Sequence, residues 1–226
     1  MIGSMSATEM ANSITSFGTL FSGLFPLFFS LLYKNQPKRW IVVYLSIFLS
    51  GIITYAYHTF GEGFLLHVGD WASNLAITST ILIAMIGDGF DSKTKNRFVL
   101  FLSILSILSI ALILILGENN LDLLFVRIGT SGYFLIELIL LVSTLGIFTV
   151  AFMYWKKYDS IEQLLLIIIF FLFLIGGIFS TADNHEIWFT LFPAHATWHM
   201  MHTFAFLTLW KFNEIRFNKE NVQFNR

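Results

Sequence analysis

The sequence predicts an all-α integral membrane protein: a seven-transmembrane helix bundle forming one domain over residues 1–226. Three observations predict it. The chain is 56% hydrophobic and only 12% charged, more apolar than a soluble domain of this length. Charge-poor runs of about 20 residues recur, the length a helix needs to cross a bilayer. Twelve of the thirteen Lys and Arg residues fall in alternate connections between those runs and in the C-terminal tail.

The runs lie at about 13–33, 40–60, 65–87, 98–116, 132–155, 164–180 and 194–212. Helix is their expected form, because lipid cannot satisfy free backbone N–H and C=O groups. No Lys or Arg precedes the first run, so it lacks the basic flank of a cleavable signal and reads as a retained span. The connection after the first run carries Lys34, Lys38 and Arg39, and that after the third carries Lys93, Lys95 and Arg97. Lys156 and Lys157 follow the fifth, and Lys211, Arg216, Lys219 and Arg226 end the chain. The opposite side has Arg127 alone. By the positive-inside rule the N-terminus is outside and the C-terminus cytoplasmic. One span more or fewer would mix the two sets. Residues 121–128 are apolar but too short to cross, and are expected as a surface or re-entrant helix on the outer side, or as a packed loop. There is no cysteine, which excludes disulfides, thiolate metal sites and cysteine nucleophiles.

Polar groups inside spans need a reason to be there. At the start of the seventh span His195 and His199 are four residues apart, so both imidazoles project from one helix face about 6 Å apart along the axis. His202 shares that face and competes with His195 as a partner of His199. In this topology His58 lies near the outer end of span 2, His67 and Asp70 near the outer start of span 3, and Glu137 in the second turn of span 5. Glu9 and Asn12 lie at the outer start of span 1. All six histidines, His185 included, fall in one outer layer.

Three histidines beside a carboxylate suit Zn²⁺, leaving a fourth position for water. Zinc lowers the pKa of that water to about 7. The ligand set read from the residues is His58, His195 and His199, with Asp70 as the acid or base. Thr54, one turn below His58 on the same face, can donate to a developing oxyanion. Each has a plainer reading. His67, His185 and His202 read more simply as hydrogen-bonded packing residues. Thr54 can bond its own i−4 carbonyl. Asp70 can be a structural partner of a histidine, and Glu137 reads as structural or as lining a polar cavity. The 26 Phe read as lipid-facing packing.

These motifs resemble the alkaline ceramidases, within a superfamily of seven-span zinc hydrolases that includes the progestin and adipoQ receptors and GPI-lipid remodelling proteins. The superfamily places Ser four residues before a His at the end of span 2, an Asp soon after, and HxxxH in span 7. Here the first piece reads Thr54-Tyr55-Ala56-Tyr57-His58, with Thr for Ser, and Asp70 follows at close to the ceramidase spacing. The last reads His195-Ala196-Thr197-Trp198-His199, with an aromatic before the second His, as in ceramidases. Glu9-Met10-Ala11-Asn12-Ser13-Ile14-Thr15-Ser16 resembles the ceramidase stretch whose Glu and Asn help bind a structural calcium, so the resemblance implies a tentative Ca²⁺ pair, Glu9 and Asn12. Glu9 can equally cap span 1. The N-outside orientation resembles the ceramidases and is opposite to that of the adipoQ receptors.

The resemblance implies zinc-dependent hydrolysis of a lipid amide, ceramide to sphingoid base and fatty acid, by zinc-activated hydroxide. The expected partner is a membrane-embedded lipid substrate, not nucleic acid, with the acyl chains among the Phe-rich spans. An ester-cleaving phospholipid or GPI-lipid hydrolase is the nearest rival. A seven-span receptor or sensor with structural zinc is the rival of another class. The short connections favour a bacterial inner membrane over a eukaryotic endomembrane.

Overall fold

The computed structural model describes residues 6–33, 35–61, 63–126, 134–183 and 193–224. Among them all regular structure is helical. The helices are α1 (Ala7–Tyr33), α2 (Lys38–Phe60), α3 (Phe64–Gly89), α4 (Ser92–Val126), α5 (Phe134–Met153), α6 (Ser160–Asp183) and α7 (Ala194–Phe224). A 3-10 turn at Trp155–Lys157 links α5 to α6. α1, α2, α3 and Ser160–Ser180 of α6 are long and apolar enough to cross a membrane. α4 and α5 carry shorter apolar stretches, Asn96–Leu112 and Leu138–Met153.

Local chemistry sets several of the boundaries. The Glu9 N–H donates to Ser6 Oγ at 3.1 Å at the start of α1. Before α4, Asp91 Oδ1 accepts from the N–H groups of Lys93 and Thr94. α6 opens on a capping box: Asp159 Oδ1 accepts the Ile161 and Glu162 N–H groups, and Glu162 Oε2 accepts the Asp159 N–H in return. α2 ends at Gly61, whose φ of 101° lies where only glycine sits without strain.

α1 is built inside out relative to a helix of a soluble bundle. On α1 the buried face is Asn12, Ser13, Ser16, Thr19, Ser22, Gly23, Pro26 and Ser30, at helical spacing. The outward face is Ile14, Phe17, Phe21, Leu24, Phe28 and Leu31. Large apolar side chains also cover the outside of α4, α5 and α6, among them Leu100, Ile107, Leu141, Leu145, Phe171 and Ile178. Lipid accepts such a surface; water does not.

Small residues let α1 and α2 cross closely. A Cβ on Gly23 would lie 2.2 Å from the Phe48 backbone nitrogen, and one on Gly51 would lie 2.4 Å from the Leu20 Cα. Such close backbone approach is how helices associate where no hydrophobic effect separates protein from lipid. α1 also packs on α7, α2 on α3, α3 on α4 and α5, and α6 on α7. Phe148 of α5 meets Phe170 of α6 edge-on at 5.0 Å between centroids. One apolar cluster fills the half of the bundle nearest the basic connections, from Trp40, Tyr44 and Ile47 to Phe206, Leu209 and Phe212. The expected polar layer lies at the other end.

Two elements run further than their apolar runs. Leu121–Val126 continues α4 as helix rather than forming a separate segment; residues 127 and 128 lie outside the described residues. α7 continues past residue 212 to Phe224, because its polar extension is held at the basic end of the bundle. There Asn213 is fully buried, its amide donating to Tyr44 Oη at 3.2 Å, and Arg216 pairs with Asp88.

Candidate metal centre

α2 presents Ser46, Ser50, Thr54 and His58 at four-residue spacing, one polar stripe on one face. α3 runs back alongside it. Ser46 Oγ lies 2.9 Å from Thr80 Oγ1, and Ser50 Oγ lies 2.8 Å from Ser73 Oγ. Thr54 Oγ1 donates to Asp70 Oδ1 at 2.5 Å. This hydroxyl seam joins the two helices and leads up to His58. Beside it Tyr57 stacks on His67, 5.4 Å between centroids and 9° between planes.

α7 brings the other histidines. Pro193 sets its start, with the Thr197 N–H on the Pro193 carbonyl at 3.0 Å. His195 and His199 then face His58 across the bundle. His58 Nε2 is 3.1 Å from His195 Nε2 and 3.4 Å from His199 Nε2. One nitrogen from each of the three rings lies within 4.8 Å of the others. His58 and His199 are buried and His195 is partly so.

The two separations from His58 Nε2 suit a shared metal ion. Ligand atoms about 2.05 Å from a tetrahedral centre lie about 3.3 Å apart, close to the two nitrogen separations found here. The donor set also suits one tautomer. His58 Nδ1 lies 2.9 Å from Glu9 Oε2 on α1. An ionised carboxylate only accepts, so His58 Nδ1 donates to Glu9, and a neutral ring so held turns the lone pair of Nε2 toward His195 and His199. The three histidines can therefore hold a metal ion, with Glu9 fixing the ring of one ligand.

Comparison with protein-family models and with curated proteins finds no match to this chain.

His58, read from its depth, comes together with His195 and His199, read from their spacing, and Asp70 of α3 meets Thr54 of α2 one turn below His58. His202 does not join the three. Its Nε2 accepts the Trp198 indole N–H at 3.2 Å, and its ring packs against Phe173. His67 Nε2 likewise accepts the Trp71 indole N–H at 3.0 Å. Both contacts match the plainer packing reading. His185 and the Glu137 side chain lie outside the described residues. Thr54 gives its one proton to Asp70 rather than to its i−4 carbonyl, so donation to a substrate oxygen requires a change of partner.

Of the tentative calcium pair, Glu9 turns to His58, while Asn12 is buried with its Oδ1 accepting no hydrogen bond. Calcium takes six to eight oxygens, more than Glu9 and Asn12 supply. The Glu9–His58 contact was not legible in the sequence, since it joins residues 49 positions apart on different helices. The hydroxyl seam had a readable signal, the four-residue spacing of Ser46, Ser50, Thr54 and His58.

Proposed function

We propose that the chain is a metal-dependent intramembrane hydrolase that cleaves the acyl amide of a lipid of the ceramide type. The observation that supports this reading most is the three-histidine group with the buried Thr54–Asp70 pair one helical turn below it. Zinc suits an all-imidazole set, and when bound it supplies Lewis acidity and acidifies a coordinated water. His58, His195 and His199 would hold it, and Glu9 would keep His58 in the ligating tautomer. Asp70 would take and return the proton as the C–N bond breaks, and Thr54 would hold the Asp70 carboxylate in line. The apolar helix faces would receive the acyl chains. This reading takes all seven helices across the bilayer, N-terminus outside, with a bacterial inner membrane as the setting.

The test is twofold. Detergent-purified protein is analysed for metal by mass spectrometry, beside a His195→Ala, His199→Ala double variant. The same samples are then given a fluorescent ceramide and a matched ester lipid. Metal lost in the double variant, together with release of fatty acid from the amide, supports the reading. Ester cleavage alone would move it to a phospholipid or GPI-lipid hydrolase. Metal without turnover on any acyl lipid would overturn it.

The hydroxyl seam favours a second reading. Thr54–Asp70 continues the Ser46–Thr80 and Ser50–Ser73 pairs, as a purely structural contact would. The protein would then be a receptor or sensor with a structural metal, and chelation would lower its melting temperature without abolishing any turnover.

A further inference from the structure

At the far end of the bundle from the histidines, a cavity of about 430 Å³ opens between the end of α3, the 3-10 turn, the start of α6 and the extension of α7. Along α3 it lies about 27 Å from Asp70, eighteen residues at the helical rise. Its lining carries both signs of charge: Asp88, Asp159 and Glu162 against Lys157, Arg216 and Lys219. The acids are already engaged. Asp88 Oδ1 takes Arg39, and its Oδ2 takes Arg216 and the Trp40 indole N–H. Asp159 Oδ1 caps α6 and its Oδ2 takes Lys219. Glu162 Oε2 takes the Asp159 N–H and its Oε1 takes Lys219 at 3.3 Å. Every carboxylate oxygen on the wall already has a donor.

The cationic donors are not matched in the same way. Lys157 Nζ lies over the Tyr154 ring, 4.6 Å from its centroid, and meets no carboxylate among the described residues. Arg216 Nε is buried with no hydrogen-bond partner, and the guanidinium carbon lies over the Phe217 ring, 4.2 Å from its centroid. Asp88 shares its single charge between two guanidinium groups. Burial pushes the Tyr158 phenol up, so it stays protonated; its oxygen accepts from Arg216 and its own proton is left to donate. The unmet demand of the cavity is for an acceptor with negative charge.

We infer that this cavity is a binding site for a glycerol-linked phosphate, placed to take the headgroup of an anionic phospholipid. Lys157, Arg216 and Tyr158 surround the phosphate oxygens, and the capping box holds Lys219 at the rim. The cavity lies on the side where the basic connections gather, and basic pockets between helices at that level recognise anionic headgroups. The occupant would tie the ends of α3, α6 and α7 together.

Native mass spectrometry of the purified full chain tests this, using phosphatidylglycerol, phosphatidylcholine and soluble sn-glycerol 3-phosphate as probes. The variants are Lys157→Gln and, as control, Lys156→Gln; both lysines are exposed, so neither change threatens folding. The expected result is that phosphatidylglycerol is retained over phosphatidylcholine and that Lys157→Gln weakens its retention about five-fold, while Lys156→Gln leaves it unchanged. Binding of glycerol 3-phosphate with the same dependence on Lys157, and no lipid preference, would support the phosphate site and make its source soluble. Equal retention of both lipids without glycerol phosphate binding, or equal effects of the two lysine variants, would overturn it.

Discussion

Glu9 Oε2 lies 2.9 Å from His58 Nδ1, so a carboxylate on α1 sets the tautomer of a histidine on α2. Carboxylates in this position raise ligand basicity and fix the ring, and their loss typically weakens metal binding about 10–100-fold. Glu9→Gln is therefore expected to lower metal affinity by that order while the protein still folds. Competition with a chromogenic chelator measures it. An unchanged affinity would show that Glu9 and His58 are paired for packing alone.

His199→Ala removes a buried nitrogen from the three-histidine group. We expect metal content to fall from about one ion per chain to near none, because two imidazoles do not complete a tetrahedral site. His202→Ala should keep its metal, since His202 is engaged by Trp198. Metal retained in the first variant and lost in the second would reverse the ligand assignment.

Asp88 joins three helices, taking Arg39 and Trp40 from α2 and Arg216 from α7. Asp88 and Arg216 are mostly buried, with 12% and 11% of their side chains exposed. Removing one partner strands the other charge, which costs about 3 kcal/mol. Asp88→Asn should lower the melting temperature in detergent clearly. Lys211→Ala, which breaks only the exposed Lys211–Glu214 pair, should cost less than about 0.5 kcal/mol.

Gly23→Ala places a methyl group against the Phe48 backbone, which cannot turn aside as a side chain can. The expected cost is about 1–3 kcal/mol through separation of α1 and α2. Gly177→Ala meets nothing within 4 Å and should be neutral. Equal thermal stability of the two variants would count against the close crossing.

Asp91 accepts from the Thr94 backbone N–H and hydroxyl and from the Lys93 N–H, and these bonds, the Thr94 backbone bond foremost, hold its carboxyl below the ordinary 3.8. Its folded value being the lower, the cap contributes stability above pH 3.8 and loses it as pH falls through the folded value. Asp91→Ala should therefore melt earlier than the parent at neutral pH, and the gap should close in acid. A gap independent of pH would remove the charge from the account.

Helix number and a polar layer at one end of the bundle were legible because hydropathy and charge placement are read one residue at a time. His195 and His199 were legible because one helix holds both. His58 joined them through the depth that the topology assigns it, a less direct inference. Glu9 and Asp88 could not be read in this way. Their partners lie on other helices, and only the way α1, α2, α3 and α7 pack decides the contacts. Asp88 also falls one residue beyond the expected end of the third span, where a charge reads as an ordinary loop residue. The α7 extension was hidden for a related reason: its polar sequence looks like a tail until Asn213 is seen buried against α2 and Arg216 paired with Asp88 of α3.

The close crossing of α1 and α2 bears on how the molecule is made. Glu9 and His58 lie on a pair of helices that are synthesised early and held together by Gly23 and Gly51. His195 and His199 lie on α7, which leaves the ribosome well after them. During synthesis the chain thus has one of the three histidines, already oriented by Glu9, and nothing to close the group. Capture of an ion would wait for α7 to pack against α1 and α6, so metal loading would report that these helices have assembled.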